Sequence, residues 1–152
     1  MKSFMFEIPG EPYAKQRHRT NFKTHREYNP PKNEQFENLV RLSFREKYPD
    51  EKPTDEWIVM NIIAIYPIPK SWTKSNKIKA DENRIFPKKH DWDNIGKIVC
   101  DGLNGVAYHD DKQIFDAMVY KRFGDRPRTV VMMNVFDDED LKGGIAELIW
   151  QG

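Results

Sequence analysis

Apolar and polar positions alternate from the start of the chain. Phe4, Phe6 and Ile8 are separated by Met5 and Glu7, which predicts a first strand ended by Pro9-Gly10. Residues 10–33 hold few apolar side chains and include Pro12, Pro30 and Pro31, so they read as a long loop. Loops of that length in compact domains are usually functional or disordered. From 33 to 48 the apolar residues Phe36, Leu39, Val40, Phe44 and Tyr48 recur at spacings of three and four, an amphipathic helix stopped by Pro49. Trp57 to Tyr66, rich in Ile and Val, predicts a buried strand ended by Pro67 and Pro69. Ser71 is the expected cap of a short basic helix through Lys74, Lys77 and Lys79. Ile95, Ile98, Val99 and Leu103 fall on one side of a helix over 93–103, closed by Asn104-Gly105. Two further strands are predicted over Gln113–Lys121 and Thr129–Phe136. Helices and strands mix without a regular βαβ alternation, so the expected class is α+β, a mixed or antiparallel sheet packed by helices. Asp137-Asp138-Glu139-Asp140 opens a tail, residues 137–152, read as peripheral and acidic.

The 152 residues suit a single domain over 1–152, large enough for a core without staples. Four Trp, six Tyr and nine Phe exclude a disordered chain. The longest apolar stretch, Trp57 to Ile68, falls short of the roughly 20 residues of a membrane span, so no membrane partner is expected. Met1-Lys2-Ser3-Phe4 leads into alternation rather than an apolar leader core, so a cytoplasmic location is expected. The single cysteine, Cys100, excludes an intramolecular disulfide and a Cys-rich zinc site. Charge is unevenly spread: residues 1–49 carry net +4 and residues 98–152 net −4, while 70–90 hold seven Lys/Arg against two Asp/Glu. Basic clusters beside an acidic half suggest a surface for a polyanion, with two solvated loops and a tail as the plainer alternative.

The segment richest in chemistry is Asp91-Trp92-Asp93-Asn94-Ile95-Gly96-Lys97, followed by Asp101 and by His109-Asp110-Asp111. Asp93, Lys97 and Asp101 share the helix face opposite the apolar one. The turn at Asn104-Gly105 sends the chain back along a helix only about 16 Å long, so Asp110 or Asp111 returns towards the helix start. Converging carboxylates repel unless a cation sits among them, and oxygen ligands without thiolate favour Mg²⁺ or Mn²⁺ over zinc. Such a metal with a lysine one turn away is what phosphodiester hydrolysis needs. The metal activates water and neutralises a phosphate oxygen, while the lysine meets charge developing in the transition state. The plainer alternative makes Asp93 a helix cap, Asp93–Lys97 a surface pair worth about 0.2–0.5 kcal/mol, and Asp110-Asp111 a polar turn.

Other motifs fail on inspection. A calcium-binding loop beginning at Asp91 would place Ile95 and Gly102 where oxygen ligands are required. His90-Asp91 and His109-Asp110 suggest a histidine–aspartate phosphohydrolase, an all-helical class that the strand signals oppose. Phosphate-binding Gly-rich loops and a Gly-x-Ser-x-Gly elbow are absent. Cys100, among apolar neighbours, reads as core rather than nucleophile.

Asp91-Trp92-Asp93-Asn94-Ile95-Gly96-Lys97, Asp101-Gly102-Leu103-Asn104-Gly105 and Asp110-Asp111-Lys112-Gln113-Ile114 together resemble the RusA family of Holliday junction resolvases, often carried by phages and prophages. Ile8-Pro9-Gly10-Glu11-Pro12 with Lys15, Arg17 and Arg19 is similar to the family's N-terminus, less specifically. The strong match covers about 25 residues in a chain of suitable length. The resemblance implies a homodimeric, Mg²⁺-dependent endonuclease cutting four-way DNA junctions by paired symmetric nicks. Its catalytic acids fall on Asp91, Asp93 and one of Asp110 and Asp111, with Asp111 favoured, and its catalytic lysine on Lys97. Gly96 and Gly102 depart from the larger helix formers usual there, each costing roughly 1 kcal/mol of helix stability, and the acidic tail has no counterpart. On this reading DNA contacts come from Lys15, Arg17, Arg19, Lys23 and Arg26 and from Lys74, Lys77, Lys79, Lys88 and Lys89. Tyr13, Phe22, Tyr28 and Trp72 interleave with them as stacking candidates. Cutting of other branched or flapped DNA, or junction binding without cutting, remains as an alternative.

Overall fold

The alternation of Phe4, Phe6 and Ile8 produces strand β1 (Lys2–Pro9) in the computed structural model, which describes residues 1–144. Those three side chains are buried, and Met5 and Glu7 are not. The long loop that follows is not featureless. It contains a hairpin of two short strands, β2 (Arg19–Asn21) and β3 (Arg26–Tyr28), every residue of which is exposed. Pro30 and Pro31 then start helix α1 (Pro31–Lys47), where a missing N–H leaves no bond unmade. Val40 and Phe44 on α1 pack onto β1, with the Phe44 ring 5.5 Å from Phe6 and 6.0 Å from Phe4.

Strand β4 (Trp57–Pro67) buries Ile58, Met60, Ile62 and Ala64 at every second position, so one face meets the core. Helix α2 (Lys74–Asp81) is capped by Thr73, whose hydroxyl accepts from the Asn76 N–H, and not by Ser71. A turn closed by the Trp72 N–H on the Pro69 carbonyl places Ser71 too early to cap. Helix α3 (Trp92–Leu103) follows, then a 3₁₀ turn at Asp111–Gln113 leading into β5 (Ile114–Gly124) and, after a short connection, β6 (Arg128–Phe136). The acidic tail begins as a helical turn, α4 (Asp138–Leu141), capped by Asp137 and tied to the Met1 amino group through Asp140 at 2.9 Å. The rest of that tail, 145–152, lies outside the described residues.

The four long strands form one sheet in the order β1-β6-β4-β5. β6 is antiparallel to both β1 and β4, while β5 runs parallel to β4, so the sheet is mixed and the class is α+β. Helices α1 and α3 pack against each other, α1 on β1 and α3 on β5. Their apolar residues Val40, Phe44, Ile95, Ile98, Val99 and Leu103 complete a core with the inward residues of β1, β4 and β6. Across the opposite face the register aligns Met5, Met132, Asn61 and Met118 in one row, and none of the four is buried. No helix among the described residues is long and apolar enough to cross a membrane.

Candidate active site

Helix α3 forms because four apolar residues recur at helical spacing, and its buried stripe of Ile95, Ile98, Val99 and Leu103 fixes which face looks outward. The two glycines that break this pattern are close-packing positions. A Cβ on Gly102 would lie 2.9 Å from the Val40 Cβ, and one on Gly96 would lie 3.0 Å from Val119 Cγ2. Glycine therefore lets α3 sit directly against α1 and β5, and the helix is held by packing rather than by propensity. Asp91 occupies the N-cap position, yet its side chain makes no capping bond. Asp93 is in the first turn, with its carboxylate accepting from the Asn94 N–H at 3.0 Å. His90, just before, takes a left-handed backbone (φ +68°). The Lys121 ammonium donates to its carbonyl at 2.9 Å, and its Nδ1 meets the Tyr66 hydroxyl at 2.8 Å. That pairing fixes the approach of the chain to Asp91.

The return segment is fixed just as tightly. Gly105, at φ +75°, turns the chain, and the buried Tyr108 donates its hydroxyl to the Cys100 carbonyl at 2.6 Å, which pins the segment beneath α3. Gln113 locks the next turn: its Oε1 accepts from the His109 and Asp110 N–H groups, and its Nε2 donates to the carbonyls of Thr54 and Glu56. Within this turn Asp110 is the cap, accepting from the Lys112 N–H at 2.9 Å. Asp111 is left facing α3.

Asp93, Lys97 and Asp111 line one cleft of about 330 Å³ between α3 and β5, together with Trp92, Gly96 and Cys100. Asp91 and Asp110 are exposed beside it without lining it. Burial, then the adjacent Asp110 and the charge of Asp101, hold the Asp111 carboxyl above its ordinary value; Lys97 opposes them. Asp110 shifts the other way, held down chiefly by the Lys112 N–H. Burial pushes the Cys100 thiol up to about 12, which keeps it protonated and a poor nucleophile at neutral pH. Trp92, 64% exposed at the cleft edge, carried no signal beyond its place between two aspartates.

These residues fit a hard divalent cation. The donors are carboxylate oxygens, Asp93 and Asp111, which meet on one cleft with Asp91 beside it. Among the described residues no three His, Cys, Asp or Glu side chains converge enough to hold a metal by themselves. Mg²⁺ is commonly held by one or two carboxylates with water and substrate phosphate completing its shell, so two carboxylates on one cleft suit it.

The basic residues sort into two kinds. Lys15 is internal: its side chain is 17% exposed and bonds Asp101 at 2.5 Å and Glu37 at 3.0 Å, so it is not a free cation for DNA. Asp101 also pairs with Lys97, at the longer distance of 3.8 Å. Lys89 pairs with Glu11 at 2.7 Å and Lys79 is half-buried. Arg17, Arg19, Lys23, Arg26, Lys74, Lys77 and Lys88 are exposed. Of the aromatic candidates, Tyr13 packs on Phe36 and Trp72 on Phe123, whereas Phe22 and Tyr28 are exposed.

The family model for Endodeoxyribonuclease RusA matches residues 9–134, a span that contains every part of the cleft. The chain is also similar to a Bacillus subtilis (strain 168) protein, "Uncharacterized protein YqaN", with 34% identity over 139 residues that cover 88% of this chain and 96% of that one. A match of that extent, over a mixed-sheet α+β fold with acids and a lysine on one cleft, places the chain in the RusA endodeoxyribonuclease family.

Proposed function

We propose that the protein is a Mg²⁺-dependent endonuclease that resolves four-way DNA junctions by paired symmetric nicks, acting as a homodimer. The observation that carries this reading is the cleft on which Asp93, Lys97 and Asp111 meet. Asp93 and Asp111 would hold the metal, with Asp91 beside them, while Asp110 serves as the cap that orients its neighbour. When bound, the metal lowers the pKa of the attacking water and neutralises a phosphate oxygen. Lys97, 59% exposed and one turn along from Asp93, turns its ammonium to the scissile phosphate and meets the charge that develops there. Its partner Asp101 is already neutralised by Lys15 at the shorter distance, which leaves Lys97 loosely held and free to move. A pre-charged cleft of this kind orients the phosphate before the bond breaks.

Homodimerisation is supported by the row of Met5, Met132 and Met118, flanking Asn61 on the sheet face away from the core and none of them buried among the described residues, a surface that a second copy would cover. A two-fold dimer presents two identical clefts to a junction that itself has approximate two-fold symmetry. The test is an end-labelled four-way junction and a matched linear duplex, each with Mg²⁺ or with EDTA. Paired nicks are expected on the junction alone and only with Mg²⁺. Asp93→Asn is expected to lower cutting by at least about 10²-fold, the scale of a lost electrostatic contributor to the transition state, while junction binding persists. Binding by the wild type without nicks in Mg²⁺ or Mn²⁺ would leave a junction-binding protein instead.

A further inference from the structure

The hairpin of β2 and β3 joins an apolar tip to a basic stem and a rigid foot. Residues 17–28 contain four Lys/Arg and two His against one acid, Glu27. Among them Phe22 stands at the start of the turn, 89% exposed. The turn itself is built: the Asn21 side chain accepts from the Lys23 N–H at 2.9 Å, the Asn21 carbonyl accepts from the His25 N–H at 2.8 Å, and His25 closes it at φ +53°. The built turn therefore presents the Phe22 ring to solvent at a fixed place between basic residues, where a base face could stack on it.

The foot of the hairpin is clamped by one fully buried polar side chain, Asn33 on α1. Its Oδ1 accepts from the Gln16 N–H at 3.0 Å and from the Tyr13 hydroxyl at 2.9 Å. Its Nδ2 donates to the Gln16 carbonyl and to Asn29 Oδ1, both at 2.8 Å. Gln16 precedes the hairpin and Asn29 follows it, so one side chain with every hydrogen-bonding position filled holds both ends. The Lys15 N–H then bonds the Asn94 carbonyl at 3.0 Å, which ties the same foot to the start of α3. A groove of about 410 Å³ runs from Gln16, Arg17 and His18 at the foot to Asn94, Lys97 and Asp101 on α3. The hairpin and the catalytic cleft are thereby joined through Lys97.

We infer that this hairpin is a branch-point probe, with Phe22 stacking on a base left unpaired or unstacked at the junction centre while Arg19, Lys23 and Arg26 hold the flanking phosphates. A linear duplex offers no open stack to receive the ring, so Phe22 gives selectivity for branched over linear DNA. The inference rests on the junction-cutting reading above. Stacking on an aromatic side chain contributes about 1–3 kcal/mol per base, or roughly 5- to 150-fold in affinity.

The experiment uses the full chain with Ca²⁺ replacing Mg²⁺, a synthetic four-way junction carrying 2-aminopurine at one branch-point position, and a duplex of matched sequence. Wild type is expected to prefer the junction and to change the 2-aminopurine fluorescence. Phe22→Ala is expected to lose the fluorescence change and to reduce the junction-to-duplex affinity ratio about 5- to 150-fold, with duplex affinity and thermal melting unchanged; Phe22→Trp is expected to restore both. An unaltered ratio in Phe22→Ala, or an equal loss on junction and duplex, would overturn the inference and leave the nuclease reading standing. A wild-type protein with no junction preference, and no junction cutting in Mg²⁺, would remove the nuclease reading and this inference with it.

Discussion

Asp111 faces the cleft, and its ionisation is expected to oppose folding where no cation offsets it. Its carboxyl pKa is raised by burial and by neighbouring carboxylates, so the unfolded chain ionises there before the folded one does. The penalty begins as pH passes the ordinary carboxylate range of about 4 and is complete above the raised folded value. Asp111→Asn is therefore expected to raise the melting temperature at neutral pH in EDTA, with the gain disappearing in acid. Added Mg²⁺ should stabilise the wild type and leave Asp111→Asn nearly unmoved. A variant that melts lower in EDTA would contradict this account. Asp110, held down by the Lys112 N–H, follows the opposite sign: its stabilising effect is present at neutral pH and lost as pH falls through its lowered folded value. The turn read from the sequence returns Asp110 or Asp111 towards the helix start, and the family resemblance favours Asp111, but in the fold the inward choice is made by the capping bond that Asp110 accepts from the Lys112 N–H. No spacing rule contains that choice. Lys15 was equally illegible, since its partner Asp101 lies 86 residues further on. Removing it with Lys15→Met leaves two half-buried carboxylates facing each other, at a cost of about 1.5–3 kcal/mol for hydrogen bonds to charged groups, measurable by urea unfolding.

Helix α3 was readable because its burial follows a period of 3.6, and β1, β4, β5 and β6 because apolar runs end at Pro, Gly or turn residues. Strands β2 and β3 left no such trace: three exposed residues each give no alternation to detect. Their order comes instead from Asn33, a residue whose type suggests surface and whose side chain is buried. The glycines of α3 misled for a related reason, because propensity counts only what a residue lacks and not what its absence of a Cβ admits. Two substitutions separate these effects. In Gly102→Ala the new Cβ meets the Val40 Cβ itself and the Glu37 carbonyl at 3.2 Å, neither of which can rotate away. Overpacking is expected to outweigh the propensity gain and to destabilise by about 1–3 kcal/mol, with only partial relief from Val40→Ala, which removes the Cγ1 methyl at 3.0 Å but keeps the Cβ at 2.9 Å. In Gly96→Ala the close atom is one methyl of Val119, so the change is expected to cost less and to be relieved by Val119→Ala. Chemical unfolding of the four variants decides it; equal losses at both glycines would mean that helix propensity governs after all.

Net charge of +1 conceals exposed cations on the hairpin, on α2 and at Lys88 before α3, set apart from the two carboxylates, Asp93 and Asp111, that line the cleft. Binding to DNA should therefore weaken steeply with salt, by about 0.9 logarithmic units per tenfold salt for each phosphate neutralised. Replacing Arg19, Lys23 and Arg26 together by Ala is expected to flatten that slope by nearly three units, whereas Lys15→Met leaves it unchanged because Lys15 is committed internally. The same arrangement bears on how two cuts are coordinated. A single chain has one cleft, and symmetric resolution needs two at fixed separation. The sheet face away from the core, with the exposed Met118 at one end of its methionine row, includes β5, which also walls the cleft through Ala117 and Val119. Association through this face would make the spacing of the two clefts a property of the sheet. Met118→Asp, an exposed position where a charge does not disturb the core, is expected to convert a dimer into an 18.1 kDa monomer in sedimentation while the fold melts unchanged. On a supercoiled plasmid extruding a cruciform, wild type should yield linear product because both strands are cut within one encounter. The monomer should yield nicked circles, since its second cut must await another encounter and the first nick releases the supercoiling that holds the cruciform out. Linear product from a protein shown to be monomeric would separate paired cutting from dimerisation and move the coordination into the DNA itself.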